Sequence, residues 1–202
     1  MKLTKQETLN ILEELKKKTD NPKWIEHSIC VGNAAGIIAQ ALNEKGMGVD
    51  VEKAIVLGYI HDIGKSQKRN FSHTIEGYNY LKSLGVDEEY CNICLTHSFL
   101  NNDLHCTAAG IPDKKANPEL TDFISKHAYT IEEKIINLCD LMIPQGSKIV
   151  TIDARLIDII LRKGAYSNTQ YHVTETYKLK EYFDNLLGYN LYDLFPEIKE
   201  NI

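Results

Sequence analysis

The sequence has little strand pattern, no long apolar run and no basic stripe, and each absence argues against a class of protein. Strict apolar–polar alternation over strand length is nearly missing, which argues against a sheet protein. No apolar stretch is long enough to span a bilayer, and Met1-Lys2-Leu3-Thr4-Lys5-Gln6 lacks the apolar core of a signal peptide. The expectation is a cytoplasmic protein with no membrane partner. A duplex nucleic-acid surface normally shows as a run of Lys and Arg along one helix, and none is present in a chain of net charge −5. The five cysteines are an odd number with no disulfide framework. Cys91 and Cys94 form a C-x-x-C, but a cysteine zinc site needs four ligands and no second pair stands at the usual spacing. These two, with Cys30, Cys106 and Cys139, read as buried structural thiols.

What remains is helix, repeatedly started and stopped. The 202 residues, 43% hydrophobic and 25% charged, suffice for one domain with a core. Thr4-x-x-Glu7 is a capping box opening a helix with Leu9, Leu12 and Leu15 on it. Asn21-Pro22 opens a second, whose inner face runs His27, Val31, Ala34, Ile38 and Leu42. Asp50 caps a third through Ala54, Leu57, Gly58 and His61, stopped near Gly64. A fourth runs from His73 to Leu84, and a fifth from Asp87 to His97. Residues 98–129, with Gly110, Pro112 and Pro118, read as an excursion with little regular structure, of the kind that serves as a lid or binding loop. Thr130-x-x-Glu133 opens a sixth helix through Asp140 to Ile143, before Pro144. A seventh spans about Ile152 to Lys163, and an eighth about Thr169 to Leu187. With no repeat and no linker, the expectation is an all-α, single-domain helical bundle over residues 1–202.

Six residues in this frame carry chemistry: His27, His61, Asp62, His73, His97 and Asp140. Imidazoles and carboxylates bind divalent metals of the Zn, Fe, Ni and Mn type. Neighbours on a helix point about 100° apart, so His61 and Asp62 share a site only near a helix end. Alone, that pair also fits a capped helix terminus, and His27 alone fits a hydrogen-bonded core histidine. Asp140, between Cys139 and Leu141 in an apolar helix, shifts the balance. An unpaired buried carboxylate costs several kcal/mol, and a cation is the simplest remedy.

The tetrad His61-Asp62-Ile63-Gly64 and the order His…His-Asp…His…His…Asp resemble the HD superfamily of metal-dependent phosphohydrolases over residues from about 24 to about 163. The resemblance implies a helical bundle of the HD-domain type, with 164–202 as a C-terminal extension. It implies that His27, His61, Asp62 and Asp140 bind one metal. Branches with two metals carry two further histidines, and His73 and His97 stand in those places. One or two divalent ions (Fe, Mn, Zn, Ni or Mg) are the expected cofactor, with a hydroxide formed on them as nucleophile. Two carboxylates against two divalent ions leave a positive centre that attracts a phosphate.

Lys65, three residues past the dyad, resembles the Lys of many two-metal HD enzymes, where it would meet a phosphoryl oxygen; a solvated turn is the other reading. Lys68 and Arg69 extend a small basic cluster, and Arg155 either reaches the same mouth or makes a surface salt bridge. His105 and His127 read as surface histidines, and His172 as part of a C-terminal packing region with Tyr166, Tyr171 and Tyr177. The expected activity is hydrolysis of a phosphoester or phosphoanhydride in a small molecule, foremost a nucleotide. The ligand order also resembles bacterial enzymes that split diadenosine tetraphosphate symmetrically, but Ser98-Phe99-Leu100-Asn101 replaces their Gly-containing basic stretch after the histidine. The Gly-Tyr-Pro signature of the cyclic-di-GMP phosphodiesterases is missing. Two alternatives stand beside hydrolysis: a di-iron oxygenase of the HD fold, and a non-catalytic HD sensor or scaffold. Such modules typically lose ligands, whereas all six positions are filled here.

Overall fold

Both capping boxes form, and each sets the start of a helix. In the computed structural model, which describes residues 1–66, 72–108, 117–144, 146, 148–166 and 168–200, helix α1 is Lys5–Lys16 and follows Thr4. The Glu7 N–H donates to Thr4 Oγ1, and the Thr4 N–H donates to Glu7 Oε2, so two of the orphan donors of the first turn are satisfied. Helix α2 is Lys23–Glu44, and α3 is Val51–Ile60, with Asp50 accepting from the Lys53 N–H. Then follow α4 (Ser72–Ser83), α5 (Glu88–Cys91), α6 (Ile93–Thr96), α7 (Pro118–Lys126), α8 (Ile131–Asp140), α9 (Ile152–Lys163) and α10 (Thr169–Leu187). The described residues contain helices and 3-10 turns and no strand, so the fold is all-α. Among them, no helix is long and apolar enough to cross a membrane.

The core lies where α2 and α3 cross, with α8 packed against both. Val31, Ile38 and Leu42 of α2 and Leu57 and Ile60 of α3 are fully buried. Each contributes about 1.5–3 kcal/mol relative to exposure. The crossing is close because both helices present glycine. A Cβ built on Gly58 would lie 2.3 Å from Gly32 Cα, and one on Gly32 would lie 2.5 Å from the Ile55 carbonyl oxygen. No real side chain tolerates such spacing, so this contact requires glycine on both sides.

Three elements differ from the sequence reading. The fifth helix is two short ones, α5 and α6. Asn92 keeps helical dihedrals, but Leu95 N–H donates to its carbonyl at 2.9 Å, a tight i→i−3 bond that marks the junction. The excursion 98–129 contains α7, which starts at Pro118 and buries Leu120, Thr121 and Ile124. Its turn-and-a-half of apolar spacing was too short to register as a period. Gly110, Pro112, Lys68 and Arg69 lie outside the described residues. Gly64 does not stop α3 by a left-handed cap: the helix already ends at Ile60, and Ile63–Ser66 is a 3-10 turn. The reason for glycine there is space, since a Cβ on Gly64 would lie 1.8 Å from the His73 carbonyl oxygen. Beyond α10, the 3-10 turns Leu191–Leu194 and Pro196–Glu200 bury Leu191, Phe195 and Ile198.

Candidate metal centre

Two close packings and the ends of three helices bring the six candidate residues together. The Gly32–Gly58 crossing draws the first turns of α2, with His27, toward the end of α3. His61 follows the last residue of α3, so Asp62 leaves the helix and the two neighbours are free to converge. The missing Cβ of Gly64 admits the start of α4 and with it His73. His97 follows the last residue of α6, and Asp140 is the last residue of α8. Every one of the six therefore sits near a helix terminus.

The ligand atoms fall into two sets. Nitrogens of His27 and His61 and an oxygen of Asp140 lie within 4.8 Å of one another, as do atoms of Asp62, His73 and His97. Asp62 faces both. Its Oδ2 lies 3.8 Å from His27 Nε2 and 3.5 Å from His61 Nε2; its Oδ1 lies 3.4 Å from His73 Nε2 and 3.5 Å from His97 Nε2. Asp140 Oδ1 stands 3.0 Å from His27 Nε2 and 3.8 Å from His61 Nε2, and the Nε2 atoms of His73 and His97 are 3.3 Å apart. One carboxylate thus spans two groups of imidazoles.

Donor chemistry fits a cation in each set. His61 Nδ1 donates to the Gly58 carbonyl at 2.7 Å, and His97 Nδ1 to the Ile93 carbonyl at 3.1 Å. Those bonds fix the tautomer, leaving the Nε2 lone pairs pointed inward, as for metal-binding histidines. His61 Nε2 and Asp62 Oδ1 are buried without a hydrogen-bond partner among the described residues. Buried polar atoms of this kind call for an explanation, and a bound ion is one. Burial pushes His61 and His97 down, His97 to about 4, so both are neutral at ordinary pH. Burial alone would raise the Asp62 carboxyl, but Lys65 and the imidazoles of His61, His97 and His27 hold it well below its usual range. Asp140 is likewise held low against burial by its hydrogen bond with His27. Carboxylates together with imidazole nitrogens are what a divalent metal binds.

The centre lies at the bottom of a cavity of about 500 Å³. Among the described residues, five basic side chains line it, Lys23, Lys65, Arg155, Arg162 and Lys163, against two acidic ones, Asp62 and Asp140. Lys65 donates to Asp62 Oδ2, the oxygen on the His27 side, and its pKa is raised because Asp62 outweighs burial. Arg155 combines both sequence readings: it lines the cavity and also pairs with Asp158 at 2.8 Å. Neither His105 nor His127 lines the cavity. His127 instead bonds Glu133, the capping residue of α8, at 2.9 Å. His172 packs in the C-terminal region as expected, buried against Tyr166, whose hydroxyl lies 2.7 Å from its Nδ1, and it also lines the cavity. None of the five cysteines is in a disulfide, and the Cys91 and Cys94 thiols donate to the Val86 and Ile60 carbonyls.

Asn137 was not anticipated at all. It is buried on α8, one turn before Asp140, and its Nδ2 donates to the carbonyls of Thr96 and His97 at 3.1 and 2.8 Å. It ties the end of α6 to α8 and so fixes the backbone that carries His97. The available signal was a carboxamide between Ile136 and Leu138, in line with Asp140 at helical spacing.

A family model for the HD domain matches residues 24–143. The chain is 33% identical over 130 residues to an uncharacterized protein of Methanocaldococcus jannaschii, covering 64% of this chain and 70% of that one. It is 37% identical over 94 residues to Ribonuclease Y of Thermosipho melanesiensis, 45% of this chain but 18% of that protein. A tRNA (cytidine(56)-2'-O)-methyltransferase of Picrophilus torridus is 27% identical over 144 residues, 69% of this chain and 36% of its own length. No solved structure matches the chain significantly.

Proposed function

The chain belongs to the HD domain family, whose members are mostly metal-dependent hydrolases, and on that premise we propose that it is a phosphohydrolase acting on a small phosphorylated molecule, foremost a nucleotide. The observation that carries this reading is the orientation of Asp62, with one oxygen toward His27 and His61 and the other toward His73 and His97. His27, His61 and Asp140 would hold one divalent ion, His73 and His97 a second, and Asp62 would bridge them. When bound, such ions polarise a phosphoryl oxygen and lower the pKa of water toward neutrality.

The protein's own groups do the rest. The basic lining concentrates anions above the centre, in a chain that is acidic as a whole. Lys65, beside Asp62, stands ready to turn its ammonium to a phosphoryl oxygen and to stabilise charge developing there. Trp24, Leu100, Leu141 and Ile159 give the cavity an apolar wall for the organic part of a substrate, and its volume suits a small molecule. A second reading, cleavage of an RNA phosphodiester, is favoured by the name of one relative, Ribonuclease Y, while the name of the tRNA methyltransferase points to RNA but not to its cleavage. Both share only a part of their length with this chain.

The test is metal analysis of anaerobically purified protein, then a panel of nucleotides, simple phosphoesters and single-stranded RNA with each candidate metal. Two ions per chain and turnover of a nucleotide are expected, with metal and activity lost together in Asp62→Asn. Protein that takes up no divalent metal, or that stays inert on every phosphate compound with each metal bound, or a reduced centre that consumes oxygen without phosphatase activity, overturns the reading.

A further inference from the structure

Helix α9 places more positive charge on the cavity than the metal centre's own chemistry requires. Arg155 and Arg162, seven residues apart, lie on one face of the helix, and Lys163 follows beside them. All three line the cavity. Asp158 is the carboxylate paired with them: Arg155 donates to it at 2.8 Å, and Arg162 makes two bonds to its oxygens at 2.8 and 2.7 Å. Among the described residues, Lys163 donates to the Ala108 carbonyl, at 3.3 Å. Arg155 Nε is buried with no hydrogen-bond partner among the described residues, and the side chain as a whole is 14% exposed. Two guanidiniums share one carboxylate, Lys163 has no carboxylate partner among the described residues, and one guanidinium donor is unused.

The crowding is electrostatically visible. Partial burial and the charges of Arg162, Arg155 and Lys65 push the Lys163 ammonium down, and Asp140 opposes them. Lys163 therefore senses both the α9 cations and the metal-ligating end of the cavity. An anion between them would relieve that repulsion.

We propose that Arg155 and Lys163 form a second anion subsite beside the metal centre, which takes a phosphate adjoining the one that is cleaved. This rests on the phosphohydrolase reading and sharpens it. The preferred substrate is a phosphoanhydride, such as a nucleoside di- or triphosphate or a dinucleoside polyphosphate, in preference to a simple monoester. Arg155 suits the role because its planar fork pairs with two phosphate oxygens at once; Lys163 adds a point charge at the rim.

The test compares inorganic pyrophosphate with orthophosphate by calorimetric titration, with Mn²⁺ in excess over both. The full chain is expected to bind pyrophosphate at least tenfold more tightly. That preference should fall about tenfold in Arg155→Gln and in Lys163→Gln, both first checked for wild-type thermal unfolding. Should Arg155→Gln unfold because Asp158 loses a partner, Lys163→Gln and the charge-retaining Arg155→Lys carry the comparison. Equal affinity for the two anions in the wild type, or an undiminished preference in the folded variants, overturns the subsite. Tighter binding of single-stranded oligonucleotide than of pyrophosphate overturns the assignment to a small phosphoanhydride. A wild type that prefers pyrophosphate, loses that preference in the variants and yet hydrolyses nothing supports the subsite and sinks the phosphohydrolase reading instead.

Discussion

Replacing Asn137 by Leu separates the support of the centre from the centre itself. The two side chains fork alike at Cγ and have the same number of heavy atoms, and what disappears is the pair of hydrogen bonds to the Thr96 and His97 carbonyls. Thr96 retains a bond from the Tyr129 hydroxyl at 3.2 Å, so its carbonyl stays satisfied. His97 loses its 2.8 Å bond in a fully buried setting. An orphaned buried acceptor costs about 1–3 kcal/mol, so chemical denaturation should show a loss in that range. The functional consequence is selective. His97 faces Asp62 Oδ1, on the side away from His27 and His61, so the ion on that side should weaken roughly 10- to 100-fold, as for other losses of outer support. The ion near His27 should change far less. A two-site metal titration reads both affinities in one experiment. Stability lost with both affinities intact would refute the positioning role and leave Asn137 a structural cross-brace.

Lys65→Ala should lower kcat/KM roughly 100- to 1000-fold on the best phosphate substrate while metal content holds; full activity would reduce Lys65 to a partner of Asp62. Gly58→Ala should destabilise by about 1–3 kcal/mol or more, because the clash with Gly32 Cα at 2.3 Å outweighs alanine's helix preference, and equal or higher stability by urea unfolding would contradict the close crossing. His172 is pushed down to about 4 by burial and the charge of Lys163, below its ordinary value of about 6.5 in the unfolded chain. The unfolded state therefore binds the extra proton between those values. The contribution is present above about pH 6.5, lost as pH falls toward 4, and worth at most about 3 kcal/mol. His172→Gln should flatten that part of the stability profile, and an unchanged slope would show that His172 is not buried as a neutral ring.

The parts of the fold that could be read in advance are those decided by local chemistry. Thr4 and Thr130 announce their helices because a capping box needs only four consecutive residues. The seventh and eighth helices match α9 and α10 at both ends because Gly164 and Gly188 end their apolar periods. Helix α7 escaped because its apolar residues sit between prolines and polar neighbours, and its amphipathic face has meaning only once Leu95 and Phe99 are there to receive it. The break at Asn92 escaped for a similar reason: its dihedrals remain helical, and only the bonding pattern changes.

The candidate ligands were legible as residue types in apolar settings, but their division into two sets was not. Nothing in the order His27, His61, Asp62, His73, His97, Asp140 states that Asp62 turns one oxygen to each set. That depends on where α3 ends. If the helix continued one more turn, His61 and Asp62 would point about 100° apart and the carboxylate could not face His27 and His73 together. Because α3 stops at Ile60 and Gly64 makes room for the start of α4, His73 comes within reach of Asp62 Oδ1. The cavity wall is less legible still. Arg155, Arg162 and Lys163 are an ordinary basic face in sequence, and they line the cavity of the candidate ligands only because α9 buries Ile152, Leu156 and Ile159 and so sets that face along its rim.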